Sequence, residues 1–302
     1  MKPLCDPSRR AGLLRNVARQ LSSAVEMAKA SAHYDLVVIG SGPAAQKCAI
    51  ESAKSGKSVA VVDKNSMLGG VCVHTGTIPS KTFREAVLHV TGWGHQGFYG
   101  KSIQRARASV SIPDLLMRVK KVESRETEVI RDKLQREGVE LISGTARFLE
   151  GVPGEPHRVL VLRSDTQSEV ESKTSIYRHI EATLPTVTLS ADRFLVACGT
   201  RPVRRPGLPF DGERVFDSDQ LLWGGVKKIP RDLIVVGAGV IGMEYASMIN
   251  IIQGTTVSVI DPRDEVLGFA DREVVQALCH SMRKNGARFL LGEKVNTGER
   301  GN

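Results

Sequence analysis

Between Asp35 and Ile39 the chain runs through mostly apolar positions, and the run stops at the glycine-rich turn GSGPAA, which supplies Gly40, Gly42 and Ala45. A helical stretch ending near Gly56 follows, then a second apolar strand, Ser58 to Val62, closed by Asp63. The same order returns from Leu233, where LIVV leads into GAGVIG with Gly237, Gly239 and Gly242. A helix then passes through Glu244 and Met248, and a strand from Thr256 to Ile260 ends at Asp261. Short apolar runs that switch at glycines to a helical period are buried parallel strands feeding crossover helices. The pattern predicts an α/β fold with two Rossmann-like dinucleotide-binding units.

Each part of such a unit has a physical task. Gly40 permits a tight turn, Gly42 lets a pyrophosphate approach the backbone, and small Ala45 lets helix and strand pack closely. Free N–H groups at the helix N-terminus hold the anion. Asp63 then accepts hydrogen bonds from the adenosine ribose hydroxyls. A bare glycine pattern says little, but one with a strand before, a helix after and an acid about 20 residues on is specific. Two copies imply two dinucleotides, and the economical pairing is a flavin with a nicotinamide.

Between the units the pattern predicts a packing helix over Ile112 to Arg136, with Leu115, Leu116, Val119, Val122, Val129, Ile130 and Leu134 near helical spacing. Strands are expected over Glu140 to Phe148 and Arg158 to Arg163, and the polar stretch Ser164 to Ser175 reads as a loop. A buried-strand signal over Arg193 to Ala197, followed by Cys198, Gly199, Thr200, Arg201 and Pro202, rejoins the first sheet before the chain leaves for the second unit.

Composition narrows the class without changing this picture. The 302 residues allow two ordinary domains. The five cysteines, Cys5, Cys48, Cys72, Cys198 and Cys279, show no metal-ligand spacing and point to a reducing compartment. No metal site is expected. The longest apolar stretch, Leu233 to Met243, is too short to span a bilayer. Of the formal net charge of +9, the first thirty-three residues carry six Lys/Arg against two acids, so the rest is only mildly basic and nucleic acid is not an expected partner. That leader, with Arg9, Arg10, Arg15 and Arg19 among apolar residues, reads either as an organellar transit peptide or as a tail ahead of a start at Met27. The two readings correspond to a mitochondrial matrix or a cytoplasmic location.

GSGPAA with Asp63, GGVCVHTGTIPSK, FLVACGTRP and GAGVIGMEYAS stand in the order and spacing of the two-dinucleotide-binding flavoprotein reductases, which include lipoamide dehydrogenase and glutathione reductase. The resemblance covers residues 34 to about 296. It implies an oxidoreductase whose first unit, within a domain over 34–222, binds FAD and whose second, over 223–302, binds NAD or NADP. In the disulfide-reducing members a cysteine, four residues and a second cysteine precede Ile-Pro-Ser-Lys; here the positions hold Cys72 and Thr77. A hydroxyl cannot form a disulfide. The form Cys72-x-His74-x-Gly76-Thr77-Ile78-Pro79-Ser80-Lys81 resembles the soluble pyridine nucleotide transhydrogenases, which pass a hydride between NADPH and NAD+ through flavin with no thiol relay.

The resemblance also implies roles. Lys81 sits near flavin N5 as a buried ammonium paired across the domain boundary with Glu244. Cys72 and Thr77 pack under the flavin ring, and His74 takes a packing or loop role. Gly69, Gly70, Ala146 and Gly199 join the cofactor-binding positions. Asp261 favours the 2′-hydroxyl of NAD, and Arg263 can meet the 2′-phosphate of NADP. Family members run longer and form homodimers through a C-terminal domain, so a truncated chain with weak FAD retention is expected. The alternatives are a lipoamide dehydrogenase-like reductase and an inactive nucleotide-binding remnant.

Overall fold

The computed structural model describes residues 32–92, 111–151, 153–162, 186–204 and 207–295. The expected leader and the Ser164 to Ser175 loop lie outside them. Backbone proximity divides the chain into two compact units, residues 1–70 with 127–199 and residues 71–126 with 200–302. Among the described residues no helix is long and apolar enough to cross a membrane.

The first unit is built on a six-stranded sheet. Its strands are β1 (Ala32–Ile39), β2 (Val59–Asp63), β3 (Glu140–Ser143), β4 (Thr145–Phe148), β5 (Arg158–Leu162) and β6 (Thr186–Val196). Their order is β3-β2-β1-β6-β5-β4; β1 pairs in parallel with β2 and β6, and β5 pairs antiparallel with β4 and β6. Val37, Val38, Val61 and Val62 are almost wholly buried, as central strands covered on both faces require. Removing each such side chain from water stabilises the fold by about 1.5–3 kcal/mol. Helix α1 (Pro43–Lys54) begins with proline in its first turn, where no N–H is missed, and buries Ala45, Ala49 and Ile50.

The segment read from the sequence as one strand, Glu140 to Phe148, is two. It breaks at Gly144, whose N–H bonds the Asp63 carbonyl at 3.0 Å, and β3 and β4 lie at opposite ends of the sheet order. An alternation of apolar residues carries no mark of such a change of partner, because each half keeps a period of two.

In the second unit β7 (Asp232–Val236), β8 (Thr256–Asp261) and β9 (Arg288–Leu291) form a parallel sheet in that order. Around it are α2 (Val71–His74), α3 (Thr77–Thr91), α5 (Ser218–Trp223), α6 (Val240–Asn250) and α7 (Arg272–Lys284). Asp217 caps α5 in a reciprocal box with Gln220, and Asp271 caps α7 through the Glu273 and Val274 N–H groups. Val257 and Val259 of β8, Met243, Ala246 and Ile249 of α6 and Phe83 of α3 share one core.

Helix α4 (Ile112–Arg136) follows its predicted range. Its first half gives Ile112, Leu115, Leu116 and Val119 to that core, and Ile130 and Leu134 are buried further along. Val129, expected on the same stripe, is 51% exposed. One residue is 100° of helical rotation, and Ile130 occupies the inward position.

Candidate functional sites at the two glycine turns

In the first unit β1 delivers Gly40 at its end, with the Gly40 N–H bonded to the Val62 carbonyl at 2.8 Å. Gly40 has φ +104°, and a Cβ there would collide with the Ala197 carbonyl at the end of β6. Glycine is required twice over, by conformation and by space. A Cβ on Gly42 meets nothing within 4 Å, so its backbone faces open space, and no side chain caps α1, whose first N–H groups remain available to an anion. Ala45 is fully buried where the helix meets the sheet.

Gly69 and Gly70 return to this turn from the far side of β2, and a Cβ on Gly70 would lie 3.0 Å from the Gly42 Cα. Ser41 ties the parts together. Its hydroxyl donates to Asp63 Oδ2 at 2.5 Å and accepts from the Gly69 N–H at 3.0 Å, with Ser41 itself 1% exposed. The other Asp63 oxygen accepts from the Lys64 N–H at 2.7 Å. The glycine spacing says nothing of Ser41; its one signal in the sequence is a hydroxyl two residues before the helix and twenty-two before an acid. Ser41→Ala should destabilise the unit by about 1–3 kcal/mol, because a buried N–H and a carboxylate each lose a partner. Chemical denaturation of the purified protein measures it.

Gly199 follows β6 with φ +68°, beside exposed Cys198. Ala146 lies on β4 opposite Val161, packed against the sheet's core. A cavity of about 720 Å³ lies toward the starts of β1 and β2, lined by Asp35, Cys48, Lys57, His157, Asp192 and Arg193 among others, and contains none of the glycine-turn residues.

The second unit repeats the arrangement. A Cβ on Gly242 would collide with the Gly237 carbonyl, so α6 can lie against β7 only with glycine at this position. Gly239 precedes α6 without a side-chain cap. Asp261, 2% exposed, accepts from the Ala238 N–H through Oδ2 at 2.6 Å. Arg263 folds back onto it, Nε to Oδ1 at 2.9 Å and Nη2 to Oδ2 at 2.8 Å. The guanidinium, joined by the Ala238 and Arg263 N–H groups, holds the carboxyl well below the ordinary carboxylate range against the opposing pull of burial. A depressed pKa contributes stability that is present above the unfolded value, about 3.9, and is lost as pH falls toward the folded one. Arg263→Gln is therefore expected to lower stability at pH 7, with the gap to the parent closing as the pH is taken below about 4. Urea denaturation at both pH values tests the sign.

Lys81 on α3 and Glu244 on α6 form an ion pair within this unit. The lysine is 60% exposed and the glutamate 20%. The expected buried ammonium is corrected here: the four-carbon stem carries the charge out to the surface, where water shares its solvation. Thr77 opens α3 and is exposed, and Cys72 is half-buried on α2. His74, at the end of α2, is 7% exposed with Nδ1 2.6 Å from Glu123 Oε1 of α4. That partner, forty-nine residues away, has no signature in the sequence. Among the described residues no cluster suited to a metal ion occurs.

Both turns thus present what a dinucleotide pyrophosphate requires: an unobstructed second glycine, an uncapped helix start and an acid at the end of the next strand. The family model described as pyridine nucleotide-disulphide oxidoreductase matches residues 34–302. A soluble pyridine nucleotide transhydrogenase of Mycobacterium tuberculosis is 47% identical over 262 residues, covering 87% of this chain and 50% of the relative. One from Vibrio parahaemolyticus is 36% identical over 254 residues, covering 84% and 48%. The chain spans about half the length of the curated relatives it matches. Among solved structures, LpdA from M. tuberculosis superposes with a TM-score of 0.69 at 28% identity, over 86% of this chain and 51% of that one. The flavoprotein disulfide reductase RclA from Escherichia coli shares the fold with a TM-score of 0.67 at 23% identity, over 87% and 50%. With the strand–glycine–helix–acid unit present twice and the family match running from residue 34 to residue 302, the chain belongs to the pyridine nucleotide-disulphide oxidoreductase family.

Proposed function

We propose that the protein is an FAD-dependent NAD(P)+ transhydrogenase that moves a hydride between NADPH and NAD+ without a redox-active disulfide. The observation that carries this reading is Thr77: the position where a second thiol would stand opposite Cys72 holds a hydroxyl at the start of α3. FAD, when bound, supplies a two-electron carrier able to accept a hydride from one nicotinamide and return it to another. The names of the curated relatives support the same reaction.

The first turn, in a domain over 34–222, is assigned to FAD. Gly40 and Gly42 admit the pyrophosphate to the N–H groups of α1, Asp63 offers its carboxylate to the ribose, and Ser41 fixes that carboxylate against Gly69. Gly70, Ala146 and Gly199 complete the lining. The second turn, over 223–302, is assigned to the nicotinamide nucleotides through Gly237, Gly239 and Gly242. Asp261 takes a 2′-hydroxyl, and Arg263 swings off it to take a 2′-phosphate. When flavin is bound, Lys81 and Glu244 would supply it with a charged pair, and Cys72 and Thr77 would supply no disulfide to take its electrons. A homodimer fits this reading.

The test is an anaerobic assay of the flavin-loaded protein with NADPH as donor and an NAD+ analogue as acceptor. Transfer that requires bound flavin supports the assignment. A flavin-loaded protein whose colour is unchanged by NADPH and by NADH sinks it.

A further inference from the structure

The middle residue of each glycine turn is buried, Ser41 with 1% exposure and Ala238 with 0%. Its backbone carbonyl therefore needs a partner within the protein. In the first turn the partner is a side chain: Gln46 of α1 donates from Nε2 to the Ser41 carbonyl at 2.8 Å. The matching position of the second turn is Met243, whose side chain has no N–H to give. There the Ala238 carbonyl accepts from the backbone N–H of Leu267, in the segment between β8 and α7, at 3.1 Å. Two unrelated donors hold the same carbonyl.

Leu267 makes its bond from an unfavourable conformation. Its φ is +47°, and among the described residues no other residue besides glycine has positive φ. Such strain persists only where the surrounding structure imposes it, and it gathers at functional sites. The Leu267 carbonyl accepts from the Ala270 N–H at 2.7 Å, and its side chain packs against the core of the unit, so the residue is held on both sides.

We propose that Gln46 and Leu267 are positioning residues: each holds the carbonyl between the two glycines of its turn and so aims the N–H of the second glycine at the dinucleotide pyrophosphate. A trans peptide is planar, with its C=O and N–H pointing in opposite directions. With the Ser41 carbonyl turned to Gln46, the Gly42 N–H faces the other way. The Gly239 N–H does the same once the Ala238 carbonyl is turned to Leu267. Neither glycine N–H has a hydrogen-bond partner among the described residues. In the second turn the preceding peptide is fixed as well, since Asp261 Oδ2 accepts from the Ala238 N–H at 2.6 Å. A donor aimed in advance needs no reorganisation when the anion arrives.

This role rests on the assignment of the two turns to dinucleotides, and one titration tests both separately. NAD+ is added to the flavin-loaded protein while affinity and the Gly239 amide resonance are followed. Two variants set backbone preference against side-chain character: valine stays apolar but its branched Cβ resists positive φ, whereas asparagine is polar and adopts it readily. Leu267→Asn is expected to keep the parent's affinity and its amide shift on binding. Leu267→Val should bind roughly tenfold more weakly, the scale of losing one hydrogen bond to a charged group, and lose the shift. The reverse order, valine tight and asparagine weak, means that Leu267 acts by packing and overturns the proposal. An identical amide shift in all three proteins also overturns it. A parent that binds no NAD+ overturns the assignment of the turn and this role with it. Should Leu267→Val fail to fold, the asparagine arm still decides, as does Gln46→Met, which gives the first turn the second turn's residue. Gln46→Met should release flavin faster than the parent, and unchanged release overturns the role of Gln46.

Discussion

Gly40→Ala is expected to abolish flavin retention. The backbone conformation alone costs an alanine about 1–3 kcal/mol. A further cost comes from the new Cβ, which meets the Ala197 carbonyl group with its carbon 2.8 Å away, so β1 and β6 must separate at the point where α1 begins. Gly56→Ala is the matched control. It also has positive φ, at +77°, so it carries the same kind of backbone strain of about 1–3 kcal/mol, but a Cβ there meets nothing within 4 Å, and it should leave flavin binding intact. Thermal midpoints and the visible flavin absorption that survives gel filtration distinguish the two variants. Equal losses would mean that the glycine turn carries no special role.

Lys81→Met is expected to have the opposite profile. An ion pair with one partner 60% exposed contributes no more than about 1 kcal/mol, so the fold should tolerate its loss. With Lys81 in its proposed role at the flavin, reduction by NADPH in the loaded protein should slow by roughly 100-fold, on the scale of losing one electrostatic stabiliser of a transition state. Nucleotide affinity at the second turn should change little, since Asp261 and Arg263 hold each other independently of Lys81. Stopped-flow absorbance and equilibrium titration separate the two effects. Impaired NADPH binding with a normal rate constant for reduction would move Lys81 out of its assigned place.

The glycine turns, the strands that feed them and the acids that close them were legible because each is local: a few consecutive residues meet one steric demand. The Lys81–Glu244 pairing was legible only through a family pattern, since 163 residues separate the partners. What escaped was either nonlocal or inconspicuous. His74 meets Glu123 from a helix that hydrophobic periodicity describes only by its apolar stripe. Ser41 sits inside a motif whose glycines draw the attention, and its value lies in reaching Asp63 and Gly69 at once. The exposure of Lys81 has no local signal either: the resemblance implies a buried ammonium that needs an anionic partner, whereas the stem carries the paired charge out to water.

The claim at the centre of this account is that Thr77 marks hydride transfer without a thiol relay. It is tested most directly by comparing the flavin-loaded parent with Cys72→Ser in two anaerobic assays, NADPH to an NAD+ analogue and NADPH to lipoamide or glutathione disulfide. The account predicts that both proteins transfer to the NAD+ analogue at similar rates and that neither reduces a disulfide. Disulfide reduction by the parent that disappears in Cys72→Ser would contradict it.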